Sequence, residues 1–231
     1  MKGFKEYNPE NPLVYIHVYK TAGCTMRRCF KKWYSRDGVA KHQLCYHDDY
    51  YKSNKSFLTC NSTQLSLYKA AKVVPIFIGH FNNVNYSFPE ECNQFITTLR
   101  NPLDRAISAY FYNLKETKNK FTDICKLEEF LRKPDYTGIT KVFTKELFTL
   151  ENYKNLIQKY FVYIGTTEHF SWSLSKIVWV LNKKLTPEML SIWENKTEYN
   201  VSVTDELKEY HREKHKLEYA IYDYVVELNN F

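Results

Sequence analysis

Four short apolar runs punctuate the chain: Leu13–Val18, Pro75–Ile78, Gln94–Leu99 and Phe161–Gly165. Each is rich in β-branched or aromatic residues and has the length of a buried strand. Between them the apolar positions recur at the helical period. Met26–Tyr34 is one such segment. Ala106–Lys118 is another, with Ile107, Tyr110, Phe111 and Leu114 on one face. Glu168–Leu181 and Asp205–Leu228 come later, the last with Leu217, Ile221, Tyr224 and Leu228 in register. Strands alternating with helices predict an α/β fold, a parallel sheet of about four to five strands flanked by helices. The linkers at 35–70 and 119–150 read as loop or lid insertions within a single domain spanning 1–231.

Parallel sheets bind ligands at the carboxyl ends of their strands. That directs attention to the residues just after Val18, Ile78, Leu99 and Ile164. The first place reads "YKTAGCT" and opens a basic helical segment. A strand–turn–helix unit aims free backbone N–H groups and the positive end of a helix dipole at one point. Lys20 adds a mobile charge, Thr21 and Thr25 add hydroxyls, and Gly23 permits close backbone approach. The fold expected is therefore P-loop-like. The loop departs from the Walker A pattern G-x-x-x-x-G-K-[ST], because Lys20 precedes its only glycine. A nucleotide without magnesium fits it better than a magnesium triphosphate does. An ordinary βα turn with a surface lysine is the plainer alternative.

The third strand ends in "LRNPLDRAISAY", which puts Arg100 at a strand end, Pro102 in a first helical turn and Ser108 within the helix. A guanidinium and a hydroxyl can then converge on one phosphate. Arg105 reads as a structural residue paired with an acid at the surface. After the second strand, "GHFNN" places His80 on the ligand side, where a general base would stand. His17 reads as a residue inside the first strand, either packed or supporting the site from behind, and His169 as a weaker candidate opening a helix. His42, His47, His211 and His215 read as loop or exposed-helix residues.

Composition narrows the picture further. The chain has 231 residues, 44% of them apolar and 17% aromatic, which suits a folded globule. Its net charge of +7 suits an anionic ligand, although a solvated lysine-rich surface explains it as well. No nucleic-acid motif or basic stripe is present, so no nucleic-acid partner is expected. The six cysteines form no CxxC pair, and His42-x-x-Cys45-x-His47 reads as incidental, so no metal is expected. Sequons at Asn54, Asn61, Asn85, Asn195 and Asn200 testify weakly for a secretory route. No run approaches the roughly 18 apolar residues of a membrane span. The N-terminus also lacks an apolar signal core. The location expected is cytoplasmic, with a Golgi-lumenal catalytic domain trimmed from an anchored parent as the alternative.

These residues together resemble a known family. "IHVYKTAGCT" resembles the 5′-phosphosulfate loop of sulfotransferases, and "LRNPLDRAISAYFY" is similar to their 3′-phosphate motif. "GHF" resembles the segment carrying the catalytic histidine in heparan sulfate and uronyl 2-O-sulfotransferases. "YIGTTEHF" and "HKLEYAIYDYVVE" resemble later segments of the same group. The matches run in family order from about residue 13 to 228, which points to the sulfotransferase family 2 group.

The resemblance implies the cofactor 3′-phosphoadenosine 5′-phosphosulfate (PAPS) and a hydroxyl acceptor, expected to be a carbohydrate. Lys20 would stabilise the leaving phosphate, and Thr21, Ala22, Gly23, Cys24, Thr25 and Met26 would hold the 5′-phosphate. Arg100 and Ser108 would hold the 3′-phosphate, with Lys196 in "NKTEYNVS" as a further candidate. His80 would be the general base. Two positions depart from the family pattern: Tyr19 replaces the usual proline before the lysine, and Cys24 stands where a small or hydroxyl residue is common. A nucleotide kinase or NTPase with a degenerate loop, or an inactive nucleotide- or glycan-binding module, are the competing readings.

Overall fold

A computed structural model of the chain describes residues 3–34, 42–47, 74–79, 90, 92–116, 124–134, 138–143, 145–191 and 201–231. Five strands, β1 (Leu13–Ile16), β2 (His42–His47), β3 (Val74–Gly79), β4 (Gln94–Leu99) and β5 (Phe161–Thr166), form one sheet in the order β2-β3-β1-β4-β5. Every pairing is parallel. The α/β expectation holds, with five strands. The added strand is β2, inside the segment expected to be an insertion. It sits at the sheet edge, and "HQLCYH" lacks the continuous apolar run of a strand buried on both faces.

Strand alternation divides the core in two. Val14, Ile16, Phe77 and Phe95 face one layer. That layer is built from α4 (Ile139–Val142), α5 (Tyr153–Tyr160) and α9 (Lys216–Asn229). Leu13, Tyr15, Ile76, Ile78 and Ile96 face the other, made by α1 (Gly23–Tyr34) and α6 (Phe170–Val180). In β5 the alternation slips, because Val162 and Tyr163 join the same layer. The β4–β5 register shifts between Phe95 and Ile96, which is what a bulge does.

A satellite cluster joins α2 (Pro102–Glu116), α3 (Ile124–Leu131) and α8 (Asp205–Lys214) through Ile107, Tyr110, Leu127, Leu131 and Leu207. A short α7 (Pro187–Ser191) closes the α1–α6 side through buried Met189. Thus part of the 119–150 segment is helical, with α3 and α4 inside it.

Helix α2 starts where the sequence punctuates it. The Asn101 side chain accepts hydrogen bonds from the N–H groups of Leu103 (3.1 Å) and Asp104 (3.4 Å), and Pro102 stands at the first helical position. The expected Asp205–Leu228 helix is two helices. His215, at φ −113° and ψ 28°, ends α8 and begins α9, a one-residue break that an apolar stripe does not register. Thr204 caps α8 by accepting from the Leu207 N–H at 3.3 Å.

Phe143 sits fully buried where the α4 end meets the sheet, with the rings of Phe95, Phe148 and Phe161 between 5.0 and 5.2 Å away. Replacing it by alanine removes the ring that these three share. Phe143→Ala should cost about 3–5 kcal/mol of stability, read as a lower urea midpoint with an unchanged slope.

Candidate functional site

The strand order creates the site. The chain leaves β1 toward the β3–β2 side and leaves β4 toward β5, so the carboxyl ends of β1 and β4 border a crevice. Helix α1 packs on one face of the sheet, while α2 leans on α9 of the opposite layer. Two segments meet at this crevice: 17–22 after β1, and Arg100 with Asn101 after β4.

The 17–22 loop is held in a defined shape. Its first N–H, from His17, donates to the Gly79 carbonyl at 2.8 Å and so extends the β1–β3 ladder. Lys20 and Ala22 both have positive φ, 63° and 62°, with Thr21 between them. Neither is glycine, and each left-handed residue costs on the order of 1 kcal/mol. Turns of this kind, with left-handed residues among right-handed ones, are where proteins turn successive N–H groups to one side and can hold an anion. Helix α1 then begins, its first internal bond running from the Met26 N–H to the Ala22 carbonyl at 3.1 Å.

Side chains from β4 secure this shape. The buried Thr98 hydroxyl donates to the Thr21 carbonyl at 2.6 Å. Because its proton is used there, it accepts from the Tyr15 hydroxyl at 3.0 Å. Burial pushes the Tyr15 hydroxyl far above its usual pKa, so it stays a donor at every ordinary pH. Thr97 donates to the Ile16 carbonyl at 2.7 Å. Thr21 turns its own hydroxyl inward, onto the Val18 carbonyl at 2.8 Å. That hydroxyl therefore maintains the turn from within.

Gly23 opens α1 for a steric reason. A Cβ at this position would lie 1.7 Å from the His17 ring. The imidazole therefore lies across the first turn of α1, half-buried, past the end of β1. The apolar pattern puts His17 inside the first strand. The strand is shorter than that pattern, and His17 belongs to the loop.

Lys20 and Tyr19 meet α2. The Lys20 ammonium sits 4.1 Å from the centre of the Tyr112 ring. Tyr19 meets that ring edge-on at 5.7 Å, and its hydroxyl donates to Asn113 Oδ1 at 3.2 Å. Cys24 is a free, half-buried thiol at the second position of α1, and Thr25 and Met26 are buried in its first turn.

Arg100 comes directly after β4 and is half-buried at the crevice. Ser108 is buried two turns into α2, about 9 Å along the helix from Pro102. Lys20 to Met26 and Arg100 thus gather at adjoining strand ends, with Ser108 in the helix leading away. His80 and Lys196 lie outside the described residues.

The remaining sequence candidates lie packed against neighbouring elements. His169 precedes α6 and stacks on Phe231 at 4.2 Å. Arg105 is buried, not at the surface as expected. His211 is also buried, its Nδ1 3.1 Å from the Tyr219 hydroxyl, and faces His215 at 4.4 Å, so neither the exposed-helix nor the loop description fits it. These two histidines help line a cleft of about 200 Å³ between α2, α3 and α8 that Tyr19 and Asn113 border. Glu168, just past the end of β5, accepts from the Asn101 N–H at 2.8 Å, and burial together with its charge pushes the Tyr222 hydroxyl above its usual pKa. Its carboxylate is engaged in joining the end of β5 to the start of α2.

Sequence reasoning missed Thr98, His17 and Tyr112. Thr98 carried a signal, a pair of hydroxyls inside an otherwise apolar strand, "FITTL". The Tyr112 contact joins segments far apart in the chain, and His17 was misplaced because the strand ends at Ile16, before it. No described helix is long and apolar enough to cross a membrane, and no cluster of three metal-ligating side chains occurs among the described residues.

No family model matches the chain, and no curated protein matches it. Among solved structures, it is similar to mouse sulfotransferase SULT7A1 complexed with PAP, at 16% identity and a TM-score of 0.46, covering 82% of this chain and 64% of that one. A second is retinol dehydratase in complex with androsterone and inactive cofactor PAP, at 15% identity and a TM-score of 0.38, covering 94% and 69%. The chain spans under two thirds of the SULT7A1 structure's length. At such scores neither likeness bears on function.

Two substitutions test the loop's supports. Thr98→Val should cost about 2–3 kcal/mol, because the Thr21 carbonyl and the Tyr15 hydroxyl are left buried and unpaired. Thr98→Ser, which keeps the hydroxyl, should recover most of that in the same denaturation experiment. Gly23→Ala should lower the melting temperature, and His17→Ala in that background should recover much of the loss, since the three atoms nearest the added methyl all belong to the imidazole.

Proposed function

We propose that the crevice binds PAPS and that the chain transfers its sulfuryl group to an acceptor hydroxyl, as a metal-independent O-sulfotransferase. The observation that carries the reading is the 17–22 loop: two left-handed residues, one of them Lys20, beside the N-terminus of α1, with Arg100 at the neighbouring strand end. Several oriented N–H groups and two cations at one edge suit a ligand with separated phosphates. The family resemblance of the two motifs, "IHVYKTAGCT" and "LRNPLDRAISAYFY", favours PAPS over a nucleoside triphosphate.

When bound, PAPS supplies an activated sulfuryl group on a phosphate leaving group. The backbone of residues 21–26 would hold the 5′-phosphate through its N–H groups, aided by the α1 dipole. Lys20 would offset the negative charge that grows on that phosphate, a role its compact ammonium suits. Arg100, with Ser108, would hold the 3′-phosphate, and Lys196 would add a cation. His80 would accept the acceptor's hydroxyl proton, since a free imidazole near neutral pH is matched to that task. The acceptor is a carbohydrate hydroxyl on the strength of the "GHF" resemblance to 2-O-sulfotransferases.

Isothermal titration separates this reading from the kinase one. Adenosine 3′,5′-bisphosphate should bind without magnesium and more tightly than ATP with Mg²⁺; the reverse preference would sink the proposal. Lys20→Ala and Arg100→Ala should each weaken that binding at least tenfold, the scale of one charge-assisted hydrogen bond. Labelled PAPS offered to glycans, lipids and small alcohols should mark a glycan. His80→Ala should abolish transfer and leave bisphosphate binding intact, and a fully active variant would remove His80 from its role.

A further inference from the structure

Lys20 meets two aromatic rings. Its ammonium lies 4.1 Å from the Tyr112 centroid and 5.9 Å from that of Tyr19. The rings brace one another edge to face, with planes at 85°. The Tyr19 hydroxyl is anchored on Asn113, the residue after Tyr112. Lys20, Tyr112, Tyr19 and Asn113 thus form a closed chain of contacts between the anion loop and the third turn of α2.

The arrangement has a physical logic. A lysine side chain is long and flexible, and it loses much rotamer freedom when it must hold one position. A ring face attracts the ammonium without cancelling its charge, so the cation is steadied and still able to meet an anion. Holding it before the ligand arrives removes part of the ordering cost of binding. The backbone helps as well: φ 63° at Lys20 is a conformation the loop must keep, and Tyr19 stands immediately before it. Because α2 begins beside Arg100, the helix that carries Tyr112 also links the two cations of the site.

We infer that Tyr112, braced by Tyr19, is a positioning residue that holds the Lys20 ammonium ready for the anionic ligand. The inference rests on the reading of Lys20 as the cation that meets the phosphosulfate. Tyr19, at the place where the resembling loops have proline, then serves by packing in place of ring rigidity.

The test has a readout that needs no ligand. In protein labelled at lysine Cε, the Lys20 resonance, assigned by its loss in Lys20→Met, should be shifted upfield by the Tyr112 ring current. It should stay shifted in Tyr112→Phe, which keeps the ring, and return to the ordinary lysine position in Tyr112→Leu. Affinity for adenosine 3′,5′-bisphosphate should fall roughly three- to tenfold in Tyr112→Leu and stay within about twofold in Tyr112→Phe. In the Lys20→Met background, Tyr112→Leu should cost nothing further. An unshifted Lys20 resonance in the unaltered chain would overturn the inference. So would an affinity loss that persists without Lys20, because the ring would then act on the ligand or the fold. If the unaltered chain binds no bisphosphate, the PAPS reading fails, and the Lys20 resonance still decides whether the clamp exists.

Discussion

The hydroxyl of Thr98 ties the 17–22 loop to the sheet. It donates to the Thr21 carbonyl while the Tyr15 hydroxyl donates to it, so a strand of the core and a turn of the site share one buried chain of hydrogen bonds. Within a low-dielectric interior such a chain is worth most when complete, since each unmade bond leaves a polar group stranded. The two left-handed residues of the loop lie on either side of the carbonyl that Thr98 holds. Their conformational cost is met by this anchorage, together with the Thr21 hydroxyl on Val18 and the His17 N–H on Gly79.

The same crevice shows why the surrounding layers differ. On the α1 side, packing is tight enough that a single methyl on Gly23 would displace the His17 ring. On the α2 side, contacts are aromatic and polar: Tyr19, Tyr112 and Asn113 reach the loop, and the cleft lined by His211 and His215 opens beneath Tyr19. Glu168 completes the edge by joining β5 to the start of α2. The loop therefore sits between a closely packed helix start and a helix that supplies aromatic and polar side chains.

Much of the fold was legible because burial writes itself into composition. Strands covered on both faces must be apolar, so β1, β3, β4 and β5 stand out of the sequence. The sequence of β2, "HQLCYH", has no continuous apolar run and so reads as a linker. The start of α2 was legible because Asn101 and Pro102 solve a local problem, the unsatisfied N–H groups of a helix end. The break at His215 was not, because the apolar face continues through it in α9.

Of the candidate site, the sequence by itself determined the residue types and their order: the loop lysine and glycine after β1, the arginine after β4 and the serine in the helix behind it. These arise from local geometry, since strand ends, turns and helix starts each demand particular residues within a few positions. Only the tertiary structure decided which distant side chains complete them. Thr98 lies 77 residues from the carbonyl it holds, and Tyr112 lies 92 residues from the lysine it faces. Such pairs carry no periodic signal, because the sheet order β2-β3-β1-β4-β5 places β4 beside β1 across two intervening strands of sequence. The contacts come from that crossover, a property of how the chain packs, and no short stretch of residues encodes it.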